Sequence, residues 1–192
     1  VIAALALVLV LGGCGGAGHR SPADQRIPAA LTREARPIGR GARFHPPADG
    51  PVLGPCRRRL GVRDAVHVEL FAADQVVLIA AGIGTRPPRR RTEGRITAAG
   101  CYGAIVTLDP TGVVLVAPGR RLTIADLFAS WGEPLSARRM ASFRAAAVTA
   151  YIDGRRHYGP AGRIGLRRHA EIVLEVGPLV PPHRSYRFPP GD

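Results

Sequence analysis

The stretch Val66-His67-Val68-Glu69-Leu70-Phe71-Ala72-Ala73-Asp74-Gln75-Val76-Val77-Leu78-Ile79 decides the fold. Val66, Val68 and Leu70 alternate with His67, Glu69 and Phe71, which is the period of a half-buried strand. Ala72-Ala73-Asp74 then turns the chain into the apolar run Val76 to Ile79, so the segment predicts a hairpin, ended by Gly82-Ile83-Gly84. Further on, Tyr102 to Leu108 and Val113 to Val116 flank Asp109-Pro110-Thr111-Gly112. Asp, Pro and Gly there occupy the first, second and fourth places of a type I turn, which predicts a second hairpin. Thr123 is a natural N-cap, Asp126 puts negative charge in the first turn, and Ile124, Leu127, Phe128 and Trp131 recur at helical spacing until Gly132 and Pro134 stop them. Val148, Tyr151 and Ile152 lead through Asp153-Gly154, a tight-turn pair, into Arg155 to Tyr158, and a last strand runs from Ala170 to Val176 before Gly177. Hairpin, hairpin, helix, hairpin, strand predicts an α+β fold. We expect a mostly antiparallel sheet of hairpins with one short helix across it, in a β-grasp-like arrangement.

The 192 residues suit one modest domain with tails; at 46% hydrophobic and 21% charged they exclude wholesale disorder, a collagen-like repeat and a polytopic membrane protein. Val1 to Leu11 is an unbroken apolar run, of the length of a secretory signal core and short for a bilayer span. Neither Met nor a basic residue precedes it, so the expectation is either a chain truncated at its start or a GTG codon at Val1 with the true start further upstream. Leu11-Gly12-Gly13-Cys14 resembles the bacterial lipobox, which implies a signal peptide over 1–13 and a lipid anchor on the Cys14 thiol. From 14 to 55 the anchor Cys is followed by Pro, Arg and Gly at a density that reads as a linker. The expected single domain spans 56–180, and 181–192 is a Pro-rich tail. With Cys14 lipidated, Cys56 and Cys101 remain as an even pair, and outside the cytoplasm a disulfide is their default. Two Cys so widely separated do not resemble a zinc site.

All 27 basic residues are Arg, since the chain has no Lys, and it has no Asn either; both absences fit a very G/C-rich genome. The formal charge of +13 still attracts anionic lipid or cell-wall polymer. Arg57 to Arg59 and Arg89 to Arg91 form two triplets without a neighbouring aromatic, so specific nucleic-acid binding is not expected and solvated loop charge is.

Several stretches carry a family resemblance: Cys56, His67 through Gly84, Cys101 with Asp109 and Gly112, Leu122-Thr123 through Phe128, Trp131-Gly132-Glu133-Pro134-Leu135-Ser136, Tyr151-Ile152-Asp153-Gly154, and His169 through Gly177. From about Cys56 to Pro189 the chain is similar to a family of uncharacterised exported bacterial proteins, often lipoproteins or membrane-tethered. The resemblance implies an envelope location and attaches no activity. Typical members carry an H-x-H-x-H run ending at the position of His67, an H-T-H-D run at Val106 to Asp109 and a further His at Leu115; here His67, Thr107 and Asp109 survive. With a four-residue turn at 109–112, Leu108 faces Val113 and Val106 faces Leu115 on one side of the hairpin. His residues there would converge like metal ligands, but Val and Leu predict core, so no metal site is expected.

Among the remaining polar groups, His67 and Glu69 share one strand face and read first as a structural pair. His169 reads as a strand-end hydrogen bonder, Asp109 as a turn residue, Trp131 and Phe128 as core, and Ser136 as the N-cap of a helical stretch from Ala137 to Phe143. No G-x-S-x-G, Walker A, G-x-G-x-x-G or H-E-x-x-H motif occurs. The sequence therefore predicts a lipid-anchored envelope protein acting as a binding or structural module, with no catalytic residue and no cofactor. The alternatives are a metal-dependent protein with a reduced site around His67 and His169, and an Arg-driven polyanion binder.

Overall fold

A computed structural model describes residues 36–189. The expected signal peptide, the anchor Cys14, the 14–35 part of the linker and the last three residues of the tail lie outside the described residues. In chain order the elements are β1 (Asp64–Ala72), β2 (Gln75–Val76), β3 (Thr85–Arg86), β4 (Arg90–Thr92), β5 (Arg95–Ala98), β6 (Cys101–Tyr102), β7 (Ile105–Val106), β8 (Val113–Val116), α1 (Ile124–Trp131), β9 (Leu135–Ser136), β10 (Arg139–Met140), β11 (Phe143–Arg144), β12 (Val148–Ile152), β13 (Arg155–His157) and β14 (Glu171–Val176). The seven-stranded main sheet has the order β13-β12-β14-β1-β8-β7, with β2 also paired to β1.

The fold is α+β, as the alternation predicts. β1 and β8 run antiparallel, α1 follows, β12 and β13 form the second hairpin, and β14 returns between β12 and β1, parallel to β1. A last strand lying parallel beside the first, with a helix in the crossover, is the β-grasp arrangement. No α-helix among the described residues is long and apolar enough to cross a membrane.

Local chemistry explains the elements that the sequence marks. Thr123 caps α1 in a full capping box: its hydroxyl accepts from the Asp126 N–H, and the Asp126 carboxylate accepts from the Thr123 N–H at 2.8 Å. Gly132 closes the helix in the left-handed conformation at φ 86°, which its missing Cβ permits. Asp153 and Gly154 both have positive φ, 51° and 74°, the signature of a type I′ hairpin turn. Cys56 and Cys101 are joined by a disulfide with Cα atoms 5.3 Å apart, closing a 45-residue separation.

Other expectations change. The first hairpin is short, because Val77 still donates to Leu70 but Leu78 donates instead to Phe44 O at 2.7 Å. Tyr102 to Leu108 is not one strand; it breaks at Gly103 between β6 and β7, which belong to different sheets. Ser136 caps no helix. Residues 135–144 form the three-stranded ribbon β9-β10-β11, with Ala141 at φ 49° forcing the tight return between β10 and β11. The segment 36–55, expected as linker, packs on the domain through its backbone: Gly39 donates to Val76 O at 3.1 Å and Gly50 to Trp131 O at 3.0 Å, while Leu53 O accepts from Ala104 at 2.8 Å.

Strand alternation gives the main sheet two buried faces. Val66, Val68, Leu70, Val114, Val116, Ile172, Leu174 and Val176 point one way and pack with Phe128 and Trp131 of α1 in the larger core. The opposite face carries Ala65, Val106, Val113 and Leu115 in a second apolar cluster, as the facing of Val106 and Leu115 predicts.

Candidate functional site

The second face also carries the site. β1 and β14 are in parallel register with His67 opposite Glu171, and Glu69 lies two residues further along the same side. His67 Nδ1 is 2.7 Å from Glu171 Oε2, and both side chains are buried. His67 Nε2 faces the carbonyl of Thr111 at 3.0 Å. A carbonyl only accepts, so Nε2 carries a hydrogen and donates it, leaving Nδ1 and the Glu171 carboxylate to share whatever proton lies between them. The Asp109-Pro110-Thr111-Gly112 turn supplies this carbonyl. Its shape depends on Asp109, whose Oδ1 accepts from Thr111, and on Gly112 at φ 85°, where a Cβ would meet Val68 O at 2.6 Å and the His67 ring at 2.9 Å. Asp109 is the turn residue expected and also pairs with Arg95.

Burial raises the Glu171 carboxyl above its ordinary value, and the hydrogen bond and charge of His67 partly offset this. Among the described residues, Glu171 Oε1 has no hydrogen-bond partner. Four residues further along β14, Glu175 is also buried and raised by desolvation, offset by the backbone of Val180 and by Arg36.

The chain after β14 covers this face. His183 Nδ1 lies 2.6 and 2.8 Å from the two oxygens of Glu69. Tyr186 stacks on the His67 ring at 3.7 Å between centroids and 10° between planes. Phe188 meets Tyr186 edge-on at 5.0 Å and joins the second apolar cluster. Residues expected as a Pro-rich tail thus form a strap, because aromatic rings and one His recur among the prolines and each finds a partner on the sheet. Glu171, His183 and Tyr186 are the site residues that sequence reasoning misses; for the last two, the spacing His183, Tyr186, Phe188 is the signal present in the sequence.

His67 and His169, the two groups suggested for a reduced His site, have different environments. His169 is exposed, its backbone N–H donates to Ala65 O at 2.7 Å, and its ring stacks on Phe188 at 4.7 Å. Ligand atoms of His67, Glu69 and Glu171, by contrast, all lie within 4.8 Å of one another. Trp131 and Phe128 are core, with rings 5.7 Å apart.

The Arg triplets have different environments. Arg57, Arg58 and Arg59 line a groove of about 740 Å³ with Arg120 beside the disulfide. Arg63, on the same groove, is held by the carbonyls of Leu60 and Gly103, both at 2.8 Å; burial first and Arg57 second lower its pKa. Arg89 is no free loop charge: it donates to Thr85 Oγ1 and Thr85 O, both at 2.7 Å, and pins the loop ahead of β4.

Comparison with family models, with curated proteins and with solved structures gives no match to this chain.

Proposed function

We propose that this chain is a cell-envelope protein, lipid-anchored through Cys14, which displays its β-grasp domain outside the cytoplasmic membrane as a binding or structural module. The observation that carries this reading is the Cys56–Cys101 disulfide. Such a bridge persists in oxidising compartments and is rare in the cytosol. A lipid anchor at Cys14 accounts for the third Cys, and the apolar run before it for export. The Arg57 to Arg59 groove with Arg120 supports anionic lipid or cell-wall polymer as the partner, through charge and without base-reading side chains.

The test is the intact mass of the protein extracted with detergent from host membranes, before and after reduction and thiol alkylation. The expected result is a mature chain beginning at a diacylglyceryl-modified Cys14, with two thiols that alkylate only after reduction. An unmodified chain with three free thiols contradicts the reading.

A further inference from the structure

We propose that His67, Glu69, Glu171 and His183 form a site for one divalent transition-metal ion of the zinc class, with His183 as the ligand that the C-terminal strap contributes. The inference is independent of the lipid anchor and of the Arg groove.

Register alone brings the first three together, since His67 and Glu171 are direct partners in the parallel ladder. Their ligand atoms fall within 4.8 Å of one another, and His183 Nδ1 touches both oxygens of Glu69. Four ligands held about 2.0–2.1 Å from a tetrahedral ion are roughly 3.3 Å apart. The ligand atoms of His67, Glu69 and Glu171 lie within 4.8 Å of one another, and His183 Nδ1 stands 2.6 Å from Glu69 Oε2, so side-chain adjustment around Glu69 is what brings the fourth ligand to that spacing.

The ring orientation is that of a metal ligand. A His that binds a metal through one nitrogen almost always donates the other N–H to a carbonyl or carboxylate, which fixes the tautomer. His67 does this with Nε2 on Thr111 O, so Nδ1 points its binding position at the carboxylates. Tyr186 stacked on the same ring restricts its rotation.

A second observation is independent of spacing. Glu171 is 1% exposed, and its Oε1 finds no hydrogen-bond partner among the described residues. A buried acceptor without a donor is costly, and a cation in this cluster satisfies it. The charge also balances, because two carboxylates, two neutral imidazoles and one divalent ion sum to zero. Two structural His–Glu pairs explain the two short contacts, but they leave Oε1 unsatisfied. On binding, the ion takes the positions between ring and carboxylate, and the protons held there go to solvent, so affinity falls as the pH is lowered.

The test uses the full-length chain in detergent, purified without a His tag, stripped with a chelator and titrated with ZnCl2 or CoCl2. One ion per chain is expected, with the visible absorption of four-coordinate cobalt, bleached by zinc, and a higher Tm in its presence. Glu171→Gln should abolish this signal. His183→Ala should weaken binding about tenfold or more, with the disulfide intact and the far-ultraviolet circular dichroism unchanged, while His169→Ala leaves it unaltered. Absence of stoichiometric uptake at micromolar metal overturns the proposal, and so does uptake that persists in both Glu171→Gln and His183→Ala. His183→Gln, which keeps a hydrogen bond to Glu69, separates loss of a ligand from loss of the strap: if it binds metal like wild type, the His183 assignment is wrong.

Discussion

The two faces of the main sheet are built from alternate residues of the same strands and are covered in opposite ways. On one, Val66, Val68, Leu70, Ile172 and Leu174 meet α1 and form an apolar core. On the other, His67, Glu69, Glu171 and Glu175 lie among apolar neighbours and are closed over by the strap of His183, Tyr186 and Phe188. The first face is held by area and shape, which tolerate no loss of volume. The second is held in part by the His67–Glu171 and His183–Glu69 pairs, whose contribution depends on protonation and partners. One strand can therefore support a permanent core and a chemically responsive layer at once, since the period of two keeps them apart.

Mutations that create space should separate the faces most clearly. Trp131→Ala or Leu174→Ala removes a fully buried side chain from the apolar face and is expected to cost about 3–5 and 2–5 kcal/mol respectively in denaturant unfolding. A cost below about 1 kcal/mol would mean that this face is not the main core. The disulfide comes next. Cys56→Ser with Cys101→Ser frees the loop joining the 56–59 segment to β6 and should cost about 2–4 kcal/mol, read as a lower midpoint in the same titration.

Strap mutations should be milder and local. Tyr186→Ala loses the stack on His67 and is expected to cost about 1 kcal/mol, with faster hydrogen exchange confined to residues 177–189. Slow exchange there after the mutation would show that the stack does not hold the strap.

The smallest effect concerns pH. Burial raises the carboxyls of Glu171 and Glu175, so the folded chain holds these protons more tightly than the unfolded chain does. The stability this gives is fully present in acid and is lost as the pH rises from the ordinary carboxylate value of 4.5 through the raised values. In the metal-free chain Tm should fall over that interval, and Glu175→Gln should flatten the fall, since the amide does not ionise. An unchanged slope in Glu175→Gln would show that its proton is bound equally in both states.

The sequence made legible whatever local chemistry specifies. Alternation marked β1 and β14, Thr123 and Gly132 bounded α1, and Asp153-Gly154 set the last hairpin. The pairing of β1 with β14 joins residues 104 apart, His67 to Glu171, and no local pattern encodes it. That is why His67 and Glu69 could be placed on one face while Glu171 could not be placed beside them. Residues 36–55 and the strap were hidden for another reason. Their prolines suggest open chain, whereas backbone hydrogen bonds and single aromatic contacts hold them, and neither leaves a period in the sequence. The ribbon at 135–144 is made of two-residue strands, too short to show alternation, in a stretch whose Leu, Ala, Arg and Met favour a helical reading.

The C-terminal segment closes the ionisable face of the sheet through His183, Tyr186 and Phe188. The most direct test of this closure is a nuclear Overhauser spectrum of the aromatic and imidazole protons of the full-length protein. Cross-peaks are expected between the His67 and Tyr186 rings and between the Tyr186 and Phe188 rings, with Tyr186 protons shifted by ring stacking. Random-coil shifts for His183, Tyr186 and Phe188, with no cross-peak to His67, would contradict it.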